Sequence, residues 1–425
     1  MPRVRQMALW GELRHPASAL FLATLALSLV RADQQPGVEV GFGGTTATIV
    51  PADVALAALF VVVVAQLRDR RPPRVTWLGL GGGVAFCAIV VLTAAANGSG
   101  PLVAAVKLVE LGVLTLAALV LVRRRRILEA VVDVLLLFTL AADAYALVEF
   151  IRGGGGRQNS FLGEHDFAAL ATLPLLYGLV LVSTGKRTGR AVVAIVAGAI
   201  GCTLGAALAS LLGLYAGAAV LLVAVVVRRT FVLRTTLVTA VVVGLVTAGT
   251  LTIRAGDLGF LQSWFGKPAS RPGQYAASWS QRLIFTYIDG RIFLARPLLG
   301  TGWYGLLPPD TWNAYLPDAR RRFSDQPPWY FPPRDAEFIP QQTFDQIPAE
   351  LGIVGSLAFL AFLAGAGRAA VRAARRSPLA AAWFAAMLGA LAGDGFFGGT
   401  TLVALAWLVP GICLALAWSP EAAPE

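Results

Sequence analysis

The residues best suited to chemistry lie in Ser278–Gly300, "SWSQRLIFTYIDGRIFLARPLLG", whose apolar spacing reads as a helix that Pro297 and Gly300 would end. Arg282 and Asp289 are seven apart there and share a face, whereas Arg282 and Arg291 are nine apart, or roughly 180° around the helix. A guanidinium holds a phosphate through paired N–H donors, so Arg282 is the candidate anion contact. Arg291 reaches the same ligand only if Gly290 interrupts the helix. Otherwise it is a structural arginine or one that meets a lipid headgroup.

Other reactive side chains are sparse. Glu164-x-Asp166 and Asp335-x-Glu337 could each set two carboxylates near one ion, but no Asp-x-Asp occurs, and no metal or other cofactor is expected. Cys87, Cys202 and Cys413 fall inside apolar runs, away from any disulfide framework or thiolate metal site. Lys107 and Glu110, three apart in one run, read as an internal ion pair or as part of a lipid-phosphate or proton path. Asp133 and Asp143 lie at similar depth, where charge is costly unless paired or wet.

These residues are spaced by apolar segments. Of the chain, 57% is apolar and 14% charged, and runs near or above about 18 residues can cross a hydrocarbon core of ~30 Å. Twelve spans are expected, near Ala17–Val30, Ala52–Ala65, Thr76–Ala96, Leu102–Val122, Ile127–Ile151, Phe167–Ser183, Ala191–Ala209, Leu211–Val227, Phe231–Ile253, Pro348–Gly365, Leu379–Ala392 and Thr400–Trp418. Lipid offers backbone N–H and C=O groups no water, and the runs lack period-2 alternation, so the spans are helices and not barrel strands. The expected fold is an all-α polytopic membrane protein.

Arginines flank alternate gaps: Arg3, Arg5 and Arg14, then Arg68 to Arg74, Arg123 to Arg126, Lys186 to Arg190, Arg228 to Arg234, and Arg368 to Arg376. By the positive-inside rule both termini are cytoplasmic, and the long polar stretch 254–347 lies outside. These flanks hold most of the 35 basic residues, so topology accounts for the net charge of +11 and no nucleic-acid partner is implied. The basic start followed by a short apolar run is expected to be a retained anchor and not a cleaved signal.

The chain thus divides into spans one to nine (1–253), the outer loop (254–347) and spans ten to twelve (348–425). The loop carries ten basic and eight acidic residues, so local sites and not bulk charge must carry any function. Five of the ten tryptophans are in it, at 264, 279, 303, 312 and 329, enough with its tyrosines and phenylalanines for a small core. Such aromatics, Trp303 and Tyr304 among them, can stack on sugar faces. The plainer roles are loop core and membrane-interface anchoring. Prolines from Pro308 to Pro340 predict turns and extended segments in its second half.

Three pieces, in this order, resemble the bacterial O-antigen ligase and polymerase superfamily of membrane glycosyltransferases. They are "RQNSFLGEHDFAAL" (Arg157–Leu170) entering the sixth span, "SQRLIF" with "RPLLGTGWYG" (Ser280–Gly305) in the loop, and "QIPAELGIVGSLAFL" (Gln346–Leu360) opening the tenth span. The resemblance implies a GT-C-like bundle in the bacterial plasma membrane. It implies transfer of a glycan from an undecaprenyl-diphosphate carrier to a glycan or lipid acceptor at the outer face, without metal or nucleotide sugar. Arg282 then matches the family's loop arginine. Arg157, beside "GGGG", is either a second phosphate contact or a solvated loop charge.

Two departures bear on the chemistry. The family's usual His-Asn pair falls on Gln341 and Gln342, and an amide is no base. The family's Ser-Arg-Gly is replaced by "SLLG" at Ser210–Gly213. Asp345, four residues beyond Gln341, is the nearest substitute carboxylate. It lies on about the same face if the helix is continuous, and on a turn if the helix opens at Pro348. Glu337 and Asp335 are alternatives. Of the two histidines, His15 is expected in the cytoplasm, leaving His165 as a displaced base or an ordinary capping histidine. Glu350 would position the helix that returns the loop to the membrane.

The expected function is therefore glycan transfer. A transporter or flippase of lipid-linked glycans suits twelve spans and buried charges, yet has no evident need for so long an outer loop, and no internal repeat is visible. A non-catalytic glycan-binding scaffold would suit the two missing residues.

Overall fold

The computed structural model describes residues 8–68, 72–122, 125–153, 155–185, 188–229, 231–255, 276–338, 340, 342–374, 382, 384–389, 391 and 404–418. The chain folds into helices. They are α1 (Ala8–Glu12), α2 (Pro16–Leu29), α3 (Pro51–Arg68), α4 (Trp77–Asn97), α5 (Ser99–Leu121), α6 (Arg125–Arg152), α7 (Glu164–Thr184), α8 (Thr188–Gly205), α9 (Leu208–Arg228) and α10 (Val232–Ile253). After them come α11 (Ala276–Ala295), the short α12 (Pro309–Trp312) and α13 (Leu316–Arg322), then α14 (Thr343–Ala374) and α15 (Ala404–Trp418).

Eight of these, α3 to α7, α9, α10 and α14, are long and apolar enough to cross a membrane, while α2, α8 and α15 are shorter apolar helices. Local chemistry sets several boundaries. Pro16 and Pro51 open α2 and α3, where a missing N–H costs nothing. Gly98 turns α4 directly into α5 at φ 115°. The expected eleventh span lies largely outside the described residues, as do Trp264 and several of the flanking arginines.

α7 forms the centre of the bundle, with nearly all its residues buried against α6, α8, α9 and α10. α14 lies against α4, α11 and α15, and α5 packs in turn on α4 and α15. Gly79 faces Gly365 so closely that a Cβ on Gly365 would strike the Gly79 backbone, the small-residue contact typical of helices packed in lipid. The outward faces carry exposed Val61, Leu92, Val223, Leu233 and Leu245, the apolar surface a bilayer would cover.

One element departs from the all-helical expectation. Strands β1 (Val38–Phe42) and β2 (Thr45–Ile49) pair antiparallel across Gly43–Gly44, both at positive φ, between α2 and α3. The signal was a Gly-Gly pair between β-branched runs.

The long polar stretch has its own core, as its aromatics suggested. Ile284, Phe285, Ile288 and Ile292 of α11 pack with Leu306, fully buried Trp312, Leu316, Tyr330 and Phe338. Trp303 is buried in the main bundle instead, and Trp329 is exposed.

α14 begins at Thr343 and continues through Pro348, so Asp345 sits in a helical first turn and not on a preceding turn. The break comes later, at Gly352 (φ 62°, ψ −160°). There the Pro297–Gly302 turn lies along the helix: Thr301 N and Gly302 N donate to Ala349 O and Glu350 O at 3.1 and 2.6 Å. Ile353 N and Val354 N donate to Pro297 O and Leu298 O at 2.8 and 3.2 Å. A Cβ on Gly352 would collide with the Leu298 carbonyl. Gly352→Ala is therefore expected to destabilise by about 2–4 kcal/mol, through the clash and the positive φ together. Gly290→Ala, at an exposed position of α11 with open space around the new methyl, should gain about 0.5–1 kcal/mol. Unfolding of both variants in nanodiscs, followed by tryptophan fluorescence, tests the contrast.

Candidate functional site

The site is built where α11 crosses the first turns of α14 and α7. α11 runs unbroken through Gly290, so its successive turns carry Arg282, Thr286 and Asp289 down one side. Facing them on α14 are Gln342, at its entry, then Asp345, Gln346 and Glu350. Thr286 Oγ1 donates to Asp345 Oδ2 at 2.7 Å and accepts from Gln342 Nε2 at 2.9 Å. Asp345 Oδ1 is buried with no hydrogen-bond partner among the described residues, and the charge of Arg282 acts on this carboxylate. One oxygen is thus fixed by a hydroxyl while the other keeps its acceptor capacity, the arrangement a proton acceptor needs.

Deeper in, Gln346 Nε2 donates to Glu350 Oε2 at 3.1 Å, and Glu350 is fully buried. Asp289 is 1% exposed, and neither of its oxygens has a hydrogen-bond partner among the described residues. Burial, and then the charges of Asp345 and Glu350, hold its carboxyl well above the usual carboxylate range.

Arg282 also reaches α7. Its Nη2 lies 3.4 Å from His165 Nε2, and because guanidinium only donates, Nε2 is the accepting nitrogen. The charges of Arg157, Arg282 and Arg254 all act on this ring. Arg157 and Arg254 are held by one device, the break between α8 and α9. Gly205 ends α8 and Ala206 follows at φ 44°. Arg157 Nε donates to Gly205 O at 2.9 Å, and Arg254 Nη1 to Ala206 O at 3.3 Å. Carbonyls at a helix C-terminus lack intrahelical partners and carry partial negative charge, so they hold cations well. Three guanidiniums from three distant stretches of chain thus act on one histidine, Arg282 in contact with it and Arg157 and Arg254 from the adjacent carbonyls that hold them, an arrangement suited to a polyanion such as a diphosphate.

The expected residues distribute as follows. Arg282, Asp345, Glu350, Gln342, His165 and Arg157 come together. Tyr304, at φ 59°, joins them: burial and then the Glu350 charge push its phenol up. Trp303 stacks beside it, ring centroids 5.5 Å apart, but is buried in the bundle, with its backbone held by Thr93 and Asn97 of α4. Arg291 is not brought to Arg282. It lies 3.4 Å from Asp318, which also accepts from Tyr287 at 2.6 Å, within the loop. Asp335 and Glu337 are exposed. Gln341 and the Glu164 side chain lie outside the described residues.

Sequence reasoning missed Arg254 and Thr286, and did not foresee that Asp289 is buried close to Asp345 and Glu350. Arg254 stood in plain view as the first residue after the ninth span, but nothing local linked it to Arg157. Within the membrane region, Asp133 is paired with Arg190 at 2.6 Å, and Lys107 contacts Asp53 as well as Glu110, which is 3.9 Å away. No protein-family model and no curated protein matches the chain.

The Asp289 environment makes a pH prediction. Between the ordinary carboxylate range and its raised value, the unfolded chain releases the proton that the folded chain keeps, so this residue makes stability fall as pH rises. Asp289→Asn removes that titration. Its stability relative to the parent should rise as pH climbs above the ordinary carboxylate range, read by thermal unfolding at each pH.

Proposed function

We propose that this protein is a membrane glycosyltransferase of the O-antigen ligase and polymerase type, moving a glycan from an undecaprenyl-diphosphate carrier to a glycan or lipid acceptor. The proposal includes twelve spans in a GT-C-like bundle in a bacterial plasma membrane, both termini cytoplasmic and the loop outside. The observation that carries the reading is the meeting of Arg157, Arg254 and Arg282 around His165, with the Asp345 carboxylate under the influence of the same Arg282.

The chemistry is economical. A diphosphate is already a good leaving group, so the site must mainly stabilise its growing charge and accept one proton. The acceptor oxygen attacks the anomeric carbon as the bond from that carbon to the diphosphate oxygen breaks. The acceptor's proton passes to Asp345, and the lipid diphosphate leaves toward the arginines. Arg254 stands in space for the arginine that the chain lacks at Ser210–Gly213. Asp345, oriented by Thr286 and Gln342, takes the place of the absent loop histidine.

Single-turnover transfer by the purified protein in nanodiscs, with extracted undecaprenyl-diphosphate glycans and EDTA present, tests this. Arg282→Ala should slow transfer by about 10²–10³-fold, and Asp345→Asn by about 10²–10⁴-fold. Transfer at the parental rate in Arg282→Ala would remove the assignment of that residue. A parent that binds carrier lipid without turnover would favour the transporter or scaffold alternative.

A further inference from the structure

A second polar site lies one residue away along α7. Neighbouring residues on a helix point about 100° apart, and His165 turns to the arginines while Asp166 lines a cavity of about 770 Å³. That volume is in the range of small-molecule sites. The end of α2, β2, the first turns of α3 and α7, the middle of α5, and Ala404 and Leu405 of α15 line it.

Its ionisable lining is Arg31, Asp33, Asp53, Lys107, Glu110 and Asp166, four acids against two bases. Both bases are already engaged. Arg31 pairs with Asp33 at 2.9 Å at the exposed rim, and Lys107 sits between Asp53 and Glu110. Apart from Ser28, Gln35 and Thr48 the remaining wall is apolar, including Leu29, Leu56, Leu111 and Leu170. The cavity is thus amphipathic and carries net negative charge, the opposite sign to the arginine cluster that shares the same helix turn.

An anion is repelled from such a lining, whereas hydroxyl and ammonium groups donate well to carboxylates. We infer that this cavity binds the acceptor, and that the acceptor presents an uncharged or amine-bearing sugar on an apolar tail. The inference rests on the transferase reading for the word acceptor; the ligand chemistry follows from the cavity itself. The two sites sort their substrates by charge. The diphosphate is drawn to the arginines and excluded from the carboxylates, and the acceptor's anchoring hydroxyl or amine groups are held on the other side of the α7 first turn, apart from the hydroxyl that reacts at Asp345.

The probe is a diazirine-bearing dodecyl glucoside, photo-crosslinked to the full chain in nanodiscs of uncharged lipid and mapped by peptide mass spectrometry. Labels are expected on 28–35 and 107–111, displaced by unlabelled dodecyl glucoside or dodecyl glucosaminide and not by dodecyl phosphate. The neutral pair Asp53→Asn with Lys107→Met should lower that labelling about tenfold, the loss of one or two charge-assisted hydrogen bonds. Leu111→Trp, which fills the cavity and leaves its charges, should lower it as well, and thermal unfolding separates either loss from misfolding. Equal competition by dodecyl phosphate, or labels confined to lipid-facing residues, would overturn the inference. So would transfer activity whose acceptor KM is unchanged in both variants, and that result leaves the transferase reading standing. Labelling of the cavity by a protein without transfer activity would do the reverse.

Discussion

The backbone clasp at Gly352 is the constraint on which the rest of the site depends. A straight α14 would close its own hydrogen bonds and offer the loop nothing. The break leaves the carbonyls of Ala349 and Glu350 and the amides of Ile353 and Val354 without helical partners, and the Pro297–Gly302 turn satisfies all four. Groups left unpaired in a buried setting would each cost several kilocalories, so the clasp and the kink require one another. Gly300, at φ 64°, lies against the Glu350 backbone, where any side chain would collide. Because the turn directly follows α11, fixing it fixes the helix, and Arg282, Thr286 and Asp289 are held against Asp345 and Gln346.

Around that clasp, charge is segregated by backbone and not by bulk composition. The α8–α9 break presents two adjacent carbonyls, which orient Arg157 and Arg254 toward the α7 entry. On the far side of the same helix turn, the carboxylates of Asp33, Asp53, Glu110 and Asp166 outnumber their cations. Beside the arginines, the fully buried Glu350 and the neutral-leaning Asp289 give Asp345 a neighbourhood of low polarity. There a single arginine charge acts more strongly than it would in water.

The helices were readable because lipid admits few alternatives: long apolar runs must satisfy their own backbones. The face shared by Arg282 and Asp289, and the separation of Arg291, were readable too, since helical spacing alone fixes them once Gly290 does not break the helix. The start of α14 was not decided locally. Pro348 favours a helix opening at itself, yet Thr343, Gln346 and Ile347 bury their side chains and carry the helix back past it. The β1–β2 hairpin was overlooked although Val38, Val40 and Phe42 alternate with Glu39 and Gly41, because the two strands are short and lie between two long apolar runs that dominate the hydropathy.

What the sequence determined by itself was therefore the membrane-spanning helical class, the position of the long polar stretch and the register of side chains within each helix. All of these follow from hydropathy and a fixed residue repeat. Tertiary structure alone decided that Arg254 joins Arg157 and Arg282, that Thr286 holds Asp345, and that Lys107 reaches Asp53 beyond its own helix. Those contacts join stretches of chain far apart in sequence, and no local pattern encodes which breaks and turns will bring them within a few ångströms.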